Sequence, residues 1–152
     1  MIPAFDKLRD PEIESMFRAP LIACILIAGA DGHIDRKEIQ KAIHQTKKTA
    51  GKSKQLGEFF KMVEVDFEDK LKVLLQSLPV ELTERNKLII AELTSINAIL
   101  PKLSIEFSRE FYSRMRDLAH QVASSSGGML GLNSVDEHEA RYIDLPMLKN
   151  PS

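Results

Sequence analysis

One cysteine in 152 residues, Cys24, leaves no partner for an internal disulfide, which fits a reducing compartment. An excess of charge is missing too: 21 basic side chains stand against 22 acidic ones, for a net charge of -1. Without a global field, an arginine-rich stripe, an array of base-stacking aromatics or zinc-finger spacing, binding to nucleic acid is set aside. No stretch reaches the roughly 18 apolar residues of a membrane-spanning helix. The first residues, MIPAFDKLRDPEIE, are acidic and lack an apolar core, so they do not read as a secretory signal. No segment alternates apolar and polar residues long enough to suggest a strand. The expectation from these absences is a cytoplasmic, all-α protein of one domain spanning 1–152, with its core at about 10–146. Peripheral attachment to a membrane is left open.

What is present is helical periodicity, organised around Leu21 to Glu38, LIACILIAGADGHIDRKE. Its first ten residues are apolar on every side, the pattern of a helix in the middle of a packed domain. Asp31-Gly32 breaks that helix, and Asp35-x-x-Glu38 starts another. Upstream, Asp10-Pro11-Glu12 is a good helix start, and Pro20 either kinks this first helix or opens a new one. The second helix is expected from Asp35 to about Ala50, with Ile39, Ala42 and Ile43 inward. Lys47, Lys48, Lys52 and Lys54 near its end read as a solvated cluster.

Ser53 caps a third helix whose Leu56, Phe59, Phe60 and Val63 recur at i, i+3, i+4 and i+7. Asp66-x-x-Asp69 opens a fourth, with Phe67, Leu71, Leu74, Leu75 and Leu78 inward. A fifth begins near Thr83 and is nearly continuous in apolar residues from Leu88 to Leu100, so it too is expected at the centre. Asn97 inside that run needs a hydrogen-bond partner if buried. A sixth, from about Ser104 to Ser125, turns Phe107, Phe111, Met115, Leu118, Val122 and Ala123 inward. A seventh is expected from Val135 or Asp136 to just before Pro146, and the tail MLKNPS is expected to be loose.

The acidic turn has an echo. Ile27-Ala28-x-x-Asp31-Gly32 has the order of Val122-Ala123-x-x-Ser126-Gly127, and Ile34-Asp35-x-x-Glu38 that of Val135-Asp136-x-x-Glu139. The match points to an internal duplication with a pseudo-two-fold axis. Each acidic pair serves as a helix cap worth about 1 kcal/mol. The sharper reading is a divalent cation held by Asp31, Asp35, Glu38, Asp136 and Glu139. Clustered carboxylates would repel one another without one. The spacing overlays the second half of an EF-hand loop, but Ile27 and Gly29 stand where its first ligands belong, so a true EF-hand is rejected. His33 and His138, within the two turns, would shift preference toward zinc, although a solvated role fits each. His44 and His120 read as surface residues. Cys24, in an apolar run, reads as inert packing.

These two motifs, Ala28-x-Ala30-Asp31-Gly32-x-Ile34-Asp35-x-x-Glu38 and the SGGMLG loop leading into Val135-Asp136-x-x-Glu139, resemble the TerB-like, tellurite-resistance type of helical domain. The resemblance covers about Ile13 to Leu145. It implies an all-helical duplicated fold of about seven helices, no established enzymatic activity, a setting in bacterial stress response, and a divalent metal at the acidic turns. The chain departs from the pattern at Ser126, where a second Asp would stand. The expected function is a non-enzymatic stress-response module that binds calcium, magnesium, manganese or zinc and acts through protein partners. A plain helical interaction adaptor or homodimer is the alternative. A small metallohydrolase using His33, Asp31 and Glu38, and a carrier of apolar ligands, stand behind both.

Overall fold

A computed structural model describes residues 2–29, 34–50, 53–127 and 142–151. Among the described residues there are six α-helices and no strand. They are α1 (Asp10–Ala28), α2 (Arg36–Thr49), α3 (Lys54–Glu64), α4 (Phe67–Ser77), α5 (Leu82–Ile99) and α6 (Ile105–Gly127), with 3-10 turns at Pro3–Phe5 and Leu100–Lys102. The first half of the second copy, Val122 to Gly127, is the end of α6, which runs through Ser126 and Gly127 where a break is expected, and residues 142–145, expected to end a seventh helix, are not helical; the rest of that helix and of the second turn lies outside the described residues. None of the six is long and apolar enough to cross a membrane.

The helix α1 is the axis of the fold, with α5 and α6 as its principal neighbours and α2 and α3 packed around it. Every residue from Ala19 to Ala28 is buried, as the uninterrupted apolar run requires. Pro20 neither ends nor restarts the helix; α1 runs through it as one piece. Proline there gives up a backbone hydrogen bond to the Met16 carbonyl. Burial on all sides holds the helix together across that gap. Its start is secured by Glu12, which accepts from the Arg9 amide at 2.9 Å and from Lys102 Nζ at 2.6 Å.

The inward stripes of α2, α3 and α6 fall where periodicity places them: Ile39, Ala42 and Ile43; Leu56, Phe59, Phe60 and Val63; Phe107, Phe111, Met115, Leu118, Val122 and Ala123 are all buried. Phe59 is the hub of an aromatic cluster. Its ring lies 5.1 Å from Phe17, 5.2 Å from Phe60, 5.7 Å from Phe111, 6.0 Å from Phe5 and 6.3 Å from Phe107, mostly edge to face. Ser53 caps α3 by accepting from the Leu56 amide.

Three details differ from expectation. The helix α5 is not central: it buries one stripe, Ile89, Leu93, Ile96 and Ile99, while Leu88 is 51% exposed. Glu92, Thr94, Ser95 and Asn97 interrupt its apolar run often enough to leave a solvent face. Its cap is Glu81, whose carboxylate accepts from the Glu84 amide at 2.7 Å. At the start of α4, Asp66 makes no side-chain cap, because its own backbone turns left-handed (φ 53°). The tail is not loose. Leu145 and Leu148 are buried in the core cluster, and Asn97 finds its partners there. It donates to the Met147 carbonyl and accepts from the Lys149 amide, both at 2.8 Å.

Candidate functional site

The turn between α1 and α2 is built from both ends. At the α1 end, the Gly29 amide closes the last turn on the Ile25 carbonyl at 2.8 Å, so Gly29, not Gly32, is the capping residue. The Gly29 carbonyl accepts from Arg85 Nη2 at 3.1 Å. That guanidinium, supplied by α5, answers the partial negative charge of the α1 C-terminus. A Cβ at Gly29 would meet Arg85 Nη2 at 2.5 Å and the Ile25 carbonyl oxygen at 2.8 Å, so glycine is required here for space. Arg85 lies 56 residues from Gly29, and no local pattern in the sequence announces it.

At the α2 end, Asp35 is the N-cap. Its Oδ1 accepts from the Lys37 amide at 3.0 Å and the Glu38 amide at 3.3 Å. This is the capping role that the residue types suggest. It engages a single oxygen of the carboxylate. Glu38 follows in the first turn of α2, half-buried. Of the proposed ligands, Asp35 and Glu38 are therefore placed on one helix start. Asp31, Asp136 and Glu139, with His33 and His138, lie outside the described residues. Among the described residues no group of three or more His, Cys, Asp or Glu side chains is gathered as a metal would need.

Several other ion pairs tie together segments distant in the chain. Glu64 of α3 forms ion pairs with Lys47 Nζ at 2.8 Å and His44 Nδ1 at 3.2 Å, both on α2. Burial raises the pKa of the Glu64 carboxyl, but the hydrogen bonds from Lys47 and His44 outweigh it and hold the value below the ordinary range. Lys47 is thus a helix-joining residue rather than part of a loose basic cluster. Arg18 of α1 meets Glu92 of α5 at 2.8 Å. His120 and Arg116 of α6 pair with Asp144, at 2.7 and 3.3 Å. Cys24 is fully buried, and burial pushes its thiol pKa far up, so it is not a nucleophile at neutral pH.

A second surface feature is a groove of about 430 Å³ between α1 and α4. Phe17 and Leu21 on α1 and Val73 and Leu74 on α4 supply its apolar lining. Glu14, Arg18, Asp69 and Lys70 are its charged members, two of each sign. Val73 is 62% exposed. The sequence carries a trace of this: the buried stripe of α4 runs Phe67, Leu71, Leu74, and Val73 lies off it. Periodicity therefore assigns Val73 to the outside, where an aliphatic residue has no packing role.

No family model matches the chain, and no solved structure matches it. It is similar to an uncharacterized protein, ORF11', of Methanothermobacter thermautotrophicus. The two are 26% identical over 132 residues, which span 84% of this chain and 80% of that one.

Proposed function

We propose that the protein is a non-enzymatic helical module that works by binding protein partners, with the groove between α1 and α4 as a docking face. One observation carries this reading: an apolar cleft set among charges of both signs, with Val73 standing open beside it. That is the anatomy of a protein interface, in which an apolar centre supplies affinity and a polar rim supplies orientation. A partner segment with aliphatic side chains suits its apolar lining of Phe17, Leu21, Val73 and Leu74. Val73→Glu tests the reading. The side chain is outside the core, so the melting temperature should stay within about 2 °C, since surface changes usually stay within about 0.5 kcal/mol. Partner association should be lost. A variant that retains its association would end this assignment.

A second reading attaches to the acidic turn. Asp35 caps α2 with one oxygen, so its capping role and a cation at the other oxygen are compatible. Glu38 stands one helical turn away, and the TerB-like resemblance adds Asp31, Asp136 and Glu139 as further ligands and stress response as the setting. The ion would be calcium, magnesium, manganese or zinc, the first three suiting an all-oxygen site. Titration of the purified protein with each ion tests it. Binding heat and a rise in melting temperature, both lost in Asp35→Asn with Glu38→Gln, are the expected results. Absence of both with every ion would remove the metal and leave the module.

A further inference from the structure

Five of the six helices, α1, α2, α3, α5 and α6, form the closely packed pairs of the fold, and α4 belongs to none of them. It is 11 residues long and meets the core through one stripe, Phe67, Leu71 and Leu74, with Leu75 beside it. Among the described residues one side-chain hydrogen bond ties α4 to another helix: Lys70 Nζ donates to the Met62 carbonyl of α3 at 2.8 Å. Toward α1, the groove of about 430 Å³ stands where packed side chains would otherwise be.

Both ends of α4 are places where the chain can turn. At its entry Asp66 is left-handed, φ 53°, and caps nothing, a backbone that a residue with a Cβ adopts at a cost. At its exit Leu78 is extended, as the residue before Pro79 must be, and Val80 stands in solvent. Strain at one end, sparse ties between and a break at the other are the conditions for local opening, in which one element leaves while the rest stays packed. We infer that α4 is a hinged flap, turning at Asp66 and Pro79, whose opening admits a partner's aliphatic segment between it and α1. Opening uncovers Phe17 and Leu21 on α1 and Leu71 and Leu74 on α4, a larger apolar surface than the closed groove offers. The opening stands by itself; only its use as a gate rests on the docking role proposed for the groove.

The test uses the full chain, with Cys24 on α1 as an internal reference. Leu71→Cys puts a second thiol on α4 at a position that is 0% exposed, as Cys24 is. With a thiol reagent, position 71 should react at least about tenfold faster than Cys24. Its rate should also depend less on urea, because a flap exposes less surface than the whole chain does. In the unaltered chain, amide exchange read by mass spectrometry should be faster across residues 67–77 than across 19–28, which keeps the test open should Leu71→Cys not fold. Asp66→Val sharpens the strain at the hinge and should speed reaction at position 71 about fivefold or more. Equal rates and equal urea dependence at the two thiols, or equal exchange in the two helices, would make α4 part of the core and overturn the flap. No response to Asp66→Val would overturn it as well. A partner still captured at the groove by a chain whose α4 does not open would remove the flap and leave the docking role standing.

Discussion

Phe59 and Phe60 are adjacent, both fully buried, and both phenylalanine, yet the fold uses them differently. Phe59 stacks or meets edge to face with Phe5, Phe17, Phe60, Phe107 and Phe111; among the described residues Phe60 has a ring contact to Phe59 alone. Truncating either to alanine removes the same side chain from the same degree of burial, at about 3–5 kcal/mol. Phe59→Ala also loses four further aromatic pairs, each worth about 0.5–1.5 kcal/mol beyond area and not fully additive. The gap between the two variants should therefore be about 2 kcal/mol. For a chain of this size, 1 kcal/mol moves the melting temperature by about 2–4 °C. Phe60→Ala should lower it by about 6–20 °C, and Phe59→Ala by about 4–8 °C more. Paired thermal melts by circular dichroism, with urea titrations to supply free energies, measure both. Equal losses, or a larger one at Phe60, would refute the idea that a ring hub at Phe59 ties the N-terminal turn to α1, α3 and α6.

Three further outcomes follow from the geometry. Gly29→Ala should destabilise by about 1–3 kcal/mol, as overpacking does, because the new methyl meets the Ile25 carbonyl; a stabilised variant in urea titration would contradict the crowding. Glu64 has a depressed pKa when folded, so its contribution is present above the ordinary value of 4.5 and is lost as pH falls through the folded value. Glu64→Gln should accordingly lower stability by about 1 kcal/mol near pH 7 and flatten its loss with acid below pH 4.5. An unchanged pH profile would show that the Lys47 and His44 pairs carry nothing. Cys24 should react with a thiol reagent only as fast as the chain opens, the rate rising with urea; fast reaction of the folded protein would contradict its burial.

Most of the fold was legible in the sequence wherever one apolar stripe met one core. The stripes of α2, α3 and α6 repeat at helical spacing, and Ser53 and Asp35 mark helix starts by their own chemistry. Legibility fails where a long-range partner decides. Pro20 looks like a break, but α1 continues through it as one helix, with every residue from Ala19 to Ala28 buried. The run from Leu88 to Leu100 looks central, yet its scattered polar residues give α5 a wet face. The C-terminal residues look like a loose end because nothing near them shows that Asn97, 50 residues upstream, holds the chain there. At the acidic turn, Asp35 and Glu38 could be picked out by residue type and spacing. Arg85, which closes the α1 end of the same turn, could not, since it reaches Gly29 from another helix. The α1–α4 groove shows in the sequence only as Val73 lying off its helical stripe.

The docking role of that groove is tested most directly by photo-crosslinking in cells, with a benzophenone side chain placed at position 73. The control site is Arg109, exposed on α6. Position 73 should give discrete protein adducts that Glu14→Lys with Asp69→Lys removes, and position 109 should give none of them. The same adducts at both positions, or none at 73, would contradict a partner bound between α1 and α4.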